Sequence, residues 1–249
     1  METYSIVIPY LASGAQGKEL TYAIAGWRKH FKEDYHIIVV GDYDPIVDSG
    51  EDITFIECPR VKNVNPDIYL PAMDIMNKLK VVREHFPFDK GFIFVADDCY
   101  AVNDFDISDI KFLKMLEPNY SFNENSKNGW KKSKIKTKKL LLKEGYPTRN
   151  FSIHLPRYYE WDKLEYLFDK YDMYNIDYII EDLYFNIFYK DRVPFQLNKE
   201  SDNIKCGVYQ SDFPLEKLQK AFKTKIWITN STVGWIGKLD RLLKQHYNL

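Results

Sequence analysis

The chain has 249 residues, 45% of them hydrophobic and 16% aromatic, and a formal net charge of -1. That is enough apolar material for the core of one large domain, and a near-neutral chain has no global field for nucleic acid or a membrane surface. Cys58, Cys99 and Cys206 are widely spaced and form neither a C-x-x-C pair nor a disulfide framework, which fits a reducing compartment.

The first stretch, METYSIVIPY, lacks a basic region followed by an apolar core, so no signal peptide is expected. Tyr4 to Tyr10 reads as a short apolar strand ending near a proline. A Gly/Ser turn follows, and Lys18 to Phe31 places Leu20, Ala23, Ile24 and Trp27 at helical spacing. Tyr35 to Asp42 (YHIIVVGD) and Ile53 to Pro59 (ITFIECP) are further strands. Pro71 to Phe86 opens with proline in its first turn and carries Met73, Met76, Leu79 and Val82 at helical spacing. GFIFVADD, from Gly91, is the fourth strand. Continuous apolar strands separated by helices predict a mixed, mainly parallel α/β sheet covered on both faces, in a single domain spanning 1–249. No apolar run approaches the roughly 20 residues that span a bilayer, so a soluble cytoplasmic protein without a membrane span is expected.

Ligands of such sheets bind beyond the carboxyl ends of the strands. That rim collects Pro9, Tyr10, Asp42 and the adjacent Asp97 and Asp98. Two carboxylates at the end of an apolar strand repel each other, and a hard divalent cation such as Mn²⁺ or Mg²⁺ is their natural partner. The plain alternative is that the two acids open a loop, one of them as a helix cap.

VVGD, the helix containing Asn77 and Lys78, and the strand ending in Asp97-Asp98 resemble nucleotide-sugar glycosyltransferases of the GT-A fold. The order KELTYAIAGWRKHF, HIIVVGD, NKLKVV, FVADDCY, NFSIHLPRYYEWDKLEYL and TVGWIGKLDRLLKQHYN is similar to the Stealth-type capsular polysaccharide phosphotransferases and their small bacterial and phage-encoded relatives. The resemblance covers most of the chain, and the order of the motifs carries it. It implies a GT-A-like fold with a nucleotide-binding half (1–110) and an acceptor half (111–249). It also implies a DxD-type divalent cation against the donor diphosphate, a UDP-sugar or related nucleotide-sugar donor, and a location in the cytosol of a bacterium or a phage-infected host. The first helix departs from the phosphotransferase pattern: Thr21 and Ala25 stand where that pattern has arginine. Hexosyl transfer therefore stands ahead of sugar-phosphate transfer. A protein that only binds a nucleotide-sugar or an anionic polymer is the non-enzyme alternative.

The resemblance gives Asp97 and Asp98 to the metal, and Pro9, Tyr10, Asp42 and Lys78 to the donor. A turn aspartate before Tyr43-Asp44-Pro45 accounts for Asp42 equally well, and a solvated helix lysine for Lys78. NFSIHLP reads as a strand with Phe151 and Ile153 on one face and Ser152 and His154 on the other. His154 is a candidate third metal ligand or proton-transfer group. Glu181 and Asp182 lie in a largely buried helix, and one of them would face the cleft as base for the acceptor hydroxyl. The sequence does not choose between them, and an acid complementing the helix dipole is the alternative. Lys127 to Lys143 holds eight lysines and no acid, so the remainder of the chain sums to -9 (-1 minus 8). It reads as a loop, either solvated, or a lid over the donor phosphates, or a grip on an acidic glycan or DNA acceptor. Trp161, Leu164, Leu167 and Phe168 fall at helical spacing. Lys225 to Asn230 reads as a late strand and Val233 to Tyr247 as a closing helix capped by Ser231 or Thr232, with Trp235 and Lys238 candidates to touch the donor.

Overall fold

The computed structural model describes residues 3–42, 50–62, 69–87, 89–119, 126–198 and 201–249. Its strands are β1 (Tyr4–Tyr10), β2 (Tyr35–Gly41), β3 (Ile53–Glu57), β4 (Gly91–Phe94), β5 (Cys99–Ala101), β6 (Lys114–Met115), β7 (Arg157–Glu160), β8 (Phe195–Gln196), β9 (Lys205–Val208) and β10 (Trp227–Asn230). Its helices are α1 (Glu19–His30), α2 (Leu70–His85), α3 (Ile107–Lys111), α4 (Gly129–Lys143), α5 (Trp161–Tyr171), α6 (Ile180–Phe188), α7 (Leu215–Thr224) and α8 (Gly237–Tyr247).

The apolar runs of the first hundred residues build four strands of the central five-stranded sheet, whose order is β3-β2-β1-β4-β7. The first four strands are parallel and β7 adds an antiparallel edge. Such strands are apolar on both faces because both are covered. Val7, Ile38, Val40 and Phe92 pack with Met76 and Leu79 of α2, Trp161 and Leu164 of α5, and Leu183 of α6. Ile6, Ile8, Ile37, Val39 and Ile93 pack with Leu20, Ile24 and Trp27 of α1. The expected mainly parallel, helix-flanked α/β domain is thus present.

α1 is buried on two sides. Tyr22 and Ala23 join a further cluster with Tyr100, Ile228, Leu218, Leu239 and Leu243, beneath the small sheet β5-β10-β9 and helices α7 and α8. Gly26 permits this approach, since a Cβ there would lie 2.9 Å from the backbone nitrogen of Ala101 in β5. Each large apolar side chain fully buried on α1 contributes about 1.5–3 kcal/mol.

Three expectations are corrected. Lys127 to Lys143 is not a loop: from Gly129 it is α4, capped by the Asn128 side chain, which accepts from the Lys131 amide at 3.0 Å. NFSIHLP is not a strand. It runs as irregular backbone before β7, though Phe151 and Ile153 are buried and His154 is exposed, as the alternation requires. The closing helix starts at Gly237 rather than Val233, and Ser231 caps a 3-10 turn, Thr232–Gly234, that precedes it. Among the described residues no helix is long and apolar enough to cross a membrane.

Candidate functional site

The chain reverses direction across the sheet between β1 and β4: β2 and β3 lie to one side of β1, β4 to the other. This switch point opens a crevice at the carboxyl ends of both strands. Val7 pairs with Phe94, and continuing that register brings Asp97 level with Tyr10. A lobe of about 280 Å³ lies there, walled by Pro9 and Tyr10, by Glu19 at the start of α1, by Lys78 of α2 and by Asp97 and Asp98.

Four carboxylates line it: Asp74, which is ion-paired with Lys78, and Glu19, Asp97 and Asp98. Burial pushes Asp97 up to about 8, helped by the charges of Asp98 and Glu19 and opposed by Lys78. Burial also holds Glu19 above the ordinary glutamate range, although the Asn230 side chain donates to it at 2.6 Å and the Gln16 amide at 2.6 Å. Asn230 is oriented in turn by the Tyr100 hydroxyl, which donates to its carbonyl oxygen at 2.6 Å. Asp98 meets His154 Nε2 at 2.5 Å. His154 reaches it from a left-handed backbone, φ 54°, which costs a non-glycine residue energy and tends to persist where function requires it.

Asp97, pushed up to about 8 first by burial and then by the charges of Asp98 and Glu19, is short of compensating positive charge, which a hard divalent cation would supply. Among the described residues no group of three or more His, Cys, Asp or Glu is arranged to hold a metal by itself. A cation bound by Asp98 and His154 would take further oxygens from its ligand, as Mg²⁺ does with substrate phosphates.

A second lobe, about 340 Å³, adjoins the first across a wall of Pro71, Ile75, Phe94 and Ala96. His154, Ser152 and Glu181 line it together with Tyr69, Trp130 and Tyr178. Burial holds the Glu181 carboxyl above its ordinary range, reinforced by Asp182 and opposed by Lys134 and Arg157. A third hollow, about 570 Å³, shares Trp130, Ser152 and His154 with the second and extends toward β9.

The two acids of α6 have different surroundings. Glu181 faces the second lobe. Asp182 does not: its side chain is fully buried, ion-paired to Lys134, and accepts from the Phe151 amide at 2.8 Å. Lys134 also donates to Asn150 at 2.7 Å and Ser152 at 3.2 Å. One lysine of the proposed grip is therefore a structural cation, and Lys136 is ion-paired to Asp177. Asp42 is likewise absent from the crevice walls; it accepts from the Ala12 amide at 2.9 Å and ties the loop after β1 to the end of β2. Tyr43, Asp44 and Pro45 lie outside the described residues. Lys78 does reach the wall, but as a buried partner of Asp74 on the same helix. Trp235 packs against Tyr22, with ring centroids 6.2 Å apart, and over Gly17, whose φ of 52° and lack of Cβ make room for the indole.

Glu19, Arg60 and Asn230 were missed. Arg60 lines the crevice three residues beyond β3, where the rim rule alone would have found it. Glu19 reads in sequence as an ordinary first-turn acid, and Asn230 as the end of a late strand. No protein-family model matches the chain, and no curated protein matches it.

Proposed function

We propose that this chain is a metal-dependent glycosyltransferase of GT-A-like fold, moving a hexosyl group from a nucleotide-sugar of the UDP-sugar kind to an acceptor hydroxyl. The observation that carries this reading is the convergence of Glu19, Asp97 and the Asp98–His154 pair at the β1/β4 switch point, beside a second lobe that holds Glu181. Pro9 and Tyr10 would border the nucleotide, and Arg60 would add positive charge near its phosphates.

Asp98 and His154 would hold Mn²⁺ or Mg²⁺, which supplies Lewis-acid neutralisation of the departing diphosphate. The bond between the sugar's anomeric carbon and the diphosphate oxygen breaks, and the nucleoside diphosphate leaves with the electron pair. The acceptor oxygen bonds to the anomeric carbon, and its proton goes to Glu181. A carboxyl whose affinity for protons burial has raised suits that role near neutral pH. The two lobes set the reactants side by side, so positioning contributes alongside the electrostatics.

The test is the melting temperature with a panel of nucleotide-sugars, in Mn²⁺ and then in EDTA. A ligand of the folded state raises it by mass action. One uridine or guanosine sugar should give a rise that EDTA removes. No rise with any donor would overturn the proposal.

A further inference from the structure

The chemistry of the second lobe names the class of acceptor, and the inference rests on the transferase reading above. Tyr69, Trp130 and Tyr178 give it aromatic walls; Ser152, His154 and Glu181 give it hydrogen-bonding groups. Among the described residues no lysine or arginine lines it. Lys134 of α4 is engaged by Asp182, Asn150 and Ser152, with its Nζ 5.4 Å from the centroid of the Trp130 ring.

This aromatic frame is built from inside. Asp177, 1% exposed, accepts from the Tyr69 amide at 2.9 Å and from the Ser133 hydroxyl. Ser133 lies one helical turn from Trp130, and Tyr178 is the next residue along the chain. One buried carboxylate therefore fixes the three segments that present the three rings. A site ordered before its ligand arrives binds with less entropic cost.

Phosphates or carboxylates brought into this lobe would meet Glu181 and no cationic wall, an unpaired and costly burial. A neutral sugar ring suits it. Its C–H faces match aromatic surface, and its hydroxyl edges match a small number of placed polar groups. We propose that the second lobe takes a neutral sugar as acceptor, stacked among Trp130, Tyr178 and Tyr69, with its reacting hydroxyl on Glu181. Nucleic acid and acidic glycans are excluded from it.

The test uses the full chain without donor. Saturation-transfer NMR and tryptophan fluorescence are recorded with methyl glycosides of glucose, galactose, mannose and N-acetylglucosamine, with methyl glucuronide, and with duplex DNA. At least one neutral glycoside should bind. Trp130→Ala should weaken it about tenfold, and Trp130→Phe should largely restore it. The melting temperature of each variant checks folding. Tighter binding of the glucuronide or of DNA, or no binding of any neutral glycoside, overturns the inference. Nucleotide-sugar binding in the same samples separates the two claims, because Trp130 does not line the first lobe. Donor binding without neutral-sugar binding overturns this inference alone. Neutral-sugar binding without donor binding overturns the transferase reading while the sugar site stands.

Discussion

Replacing Lys134 with methionine should destabilise the protein sharply while leaving the carboxylates of the crevice in place. Lys134 and Asp182 are both 0% exposed. The substitution fills most of the lysine's volume but strands the Asp182 carboxylate with the Phe151 amide and the Ser152 hydroxyl as donors. Removing one partner of a buried pair costs about 3–5 kcal/mol. At about 2–4 °C per kcal/mol for a chain of this size, the melting temperature should fall by about 6–20 °C. Asp182→Asn should fall less, because its amide oxygen still accepts from Phe151. The double variant Lys134→Met/Asp182→Leu should recover part of the loss: both charges are gone, but the Phe151 amide and the Ser152 hydroxyl lose their acceptor and Asn150 its lysine donor, and an unmet buried group costs about 1–3 kcal/mol. Urea unfolding of the parent, Lys134→Met, Asp182→Leu and the double variant gives the coupling energy. Single variants that melt within about 2 °C of the parent, the range of surface substitutions, would refute the claim that this pair secures α4 to α6. An Asp182→Asn protein of parental stability and no turnover would return Asp182 to the chemistry.

Asp98→Asn should leave the fold intact and reduce nucleoside diphosphate release by at least about 100-fold, measured with the donor that the melting screen identifies. His154→Gly should be about 1 kcal/mol more stable than His154→Ala by urea unfolding, because glycine accepts the φ of 54° without strain; equal stabilities would show that no strain is stored there. A pH effect should arise far from the crevice. Burial lowers both His30 and His246 from 6.5, His246 to about 4; Lys29 and Lys32 add to the lowering at His30, Lys29 at His246, and Asp104 opposes it at His30. Below pH 6.5 the unfolded chain binds more protons than the folded one, so stability falls from there toward pH 4. His246→Asn should flatten that slope in melting temperatures taken across the range.

Four strands of the sheet, β1 to β4, were legible because they are apolar runs, and the rim because Asp97 and Asp98 follow one of them; the edge strand β7, RYYE, carries two charged residues and was not read. α4 was hidden by its own buried face, which is Ser133, Lys134 and Thr137 with Leu141. Helical periodicity is read from apolar residues, and here the stripe is polar, satisfied by partners more than 40 residues away: Lys134 by Asp182, Ser133 by Asp177, Thr137 by the Ile179 amide at 2.9 Å. The same long-range partner explains why Glu181 and Asp182 could not be told apart. Adjacent helical residues point about 100° apart, so one faces inward, but which one depends on a lysine in a segment that reads as a loop. The 150–156 stretch shows the converse: its alternation of buried and exposed side chains was correct, yet among the described residues its pairing is an isolated antiparallel bridge between Asn150 and Glu117. β5, β6 and β8, of two or three residues each, are too short to leave a pattern.

Charge compensation separates the two adjacent acid pairs of this chain more sharply than sequence context does. Asp182 has a lysine at ion-pair distance, a backbone amide and complete burial, the conditions under which a charge is structural. Asp97 has different surroundings: Asp98 and Glu19 repel it, and Lys78, itself ion-paired to Asp74, opposes them, in a wall open to a crevice. Glu19 is held by Asn230 and the Gln16 amide and Asp98 by His154, but Asp97 carries their repulsion on top of its burial. A cationic ligand entering the crevice would offset that repulsion. His154 then occupies the informative position. It lines the second lobe while its Nε2 touches Asp98 of the first, and the left-handed turn that carries it is followed directly by the buried Leu155, Pro156 and Arg157. In the transferase reading proposed above, an acceptor seated against Glu181 would be linked to Asp98 through His154 as well as through the wall of Pro71, Ile75, Phe94 and Ala96 that both lobes share.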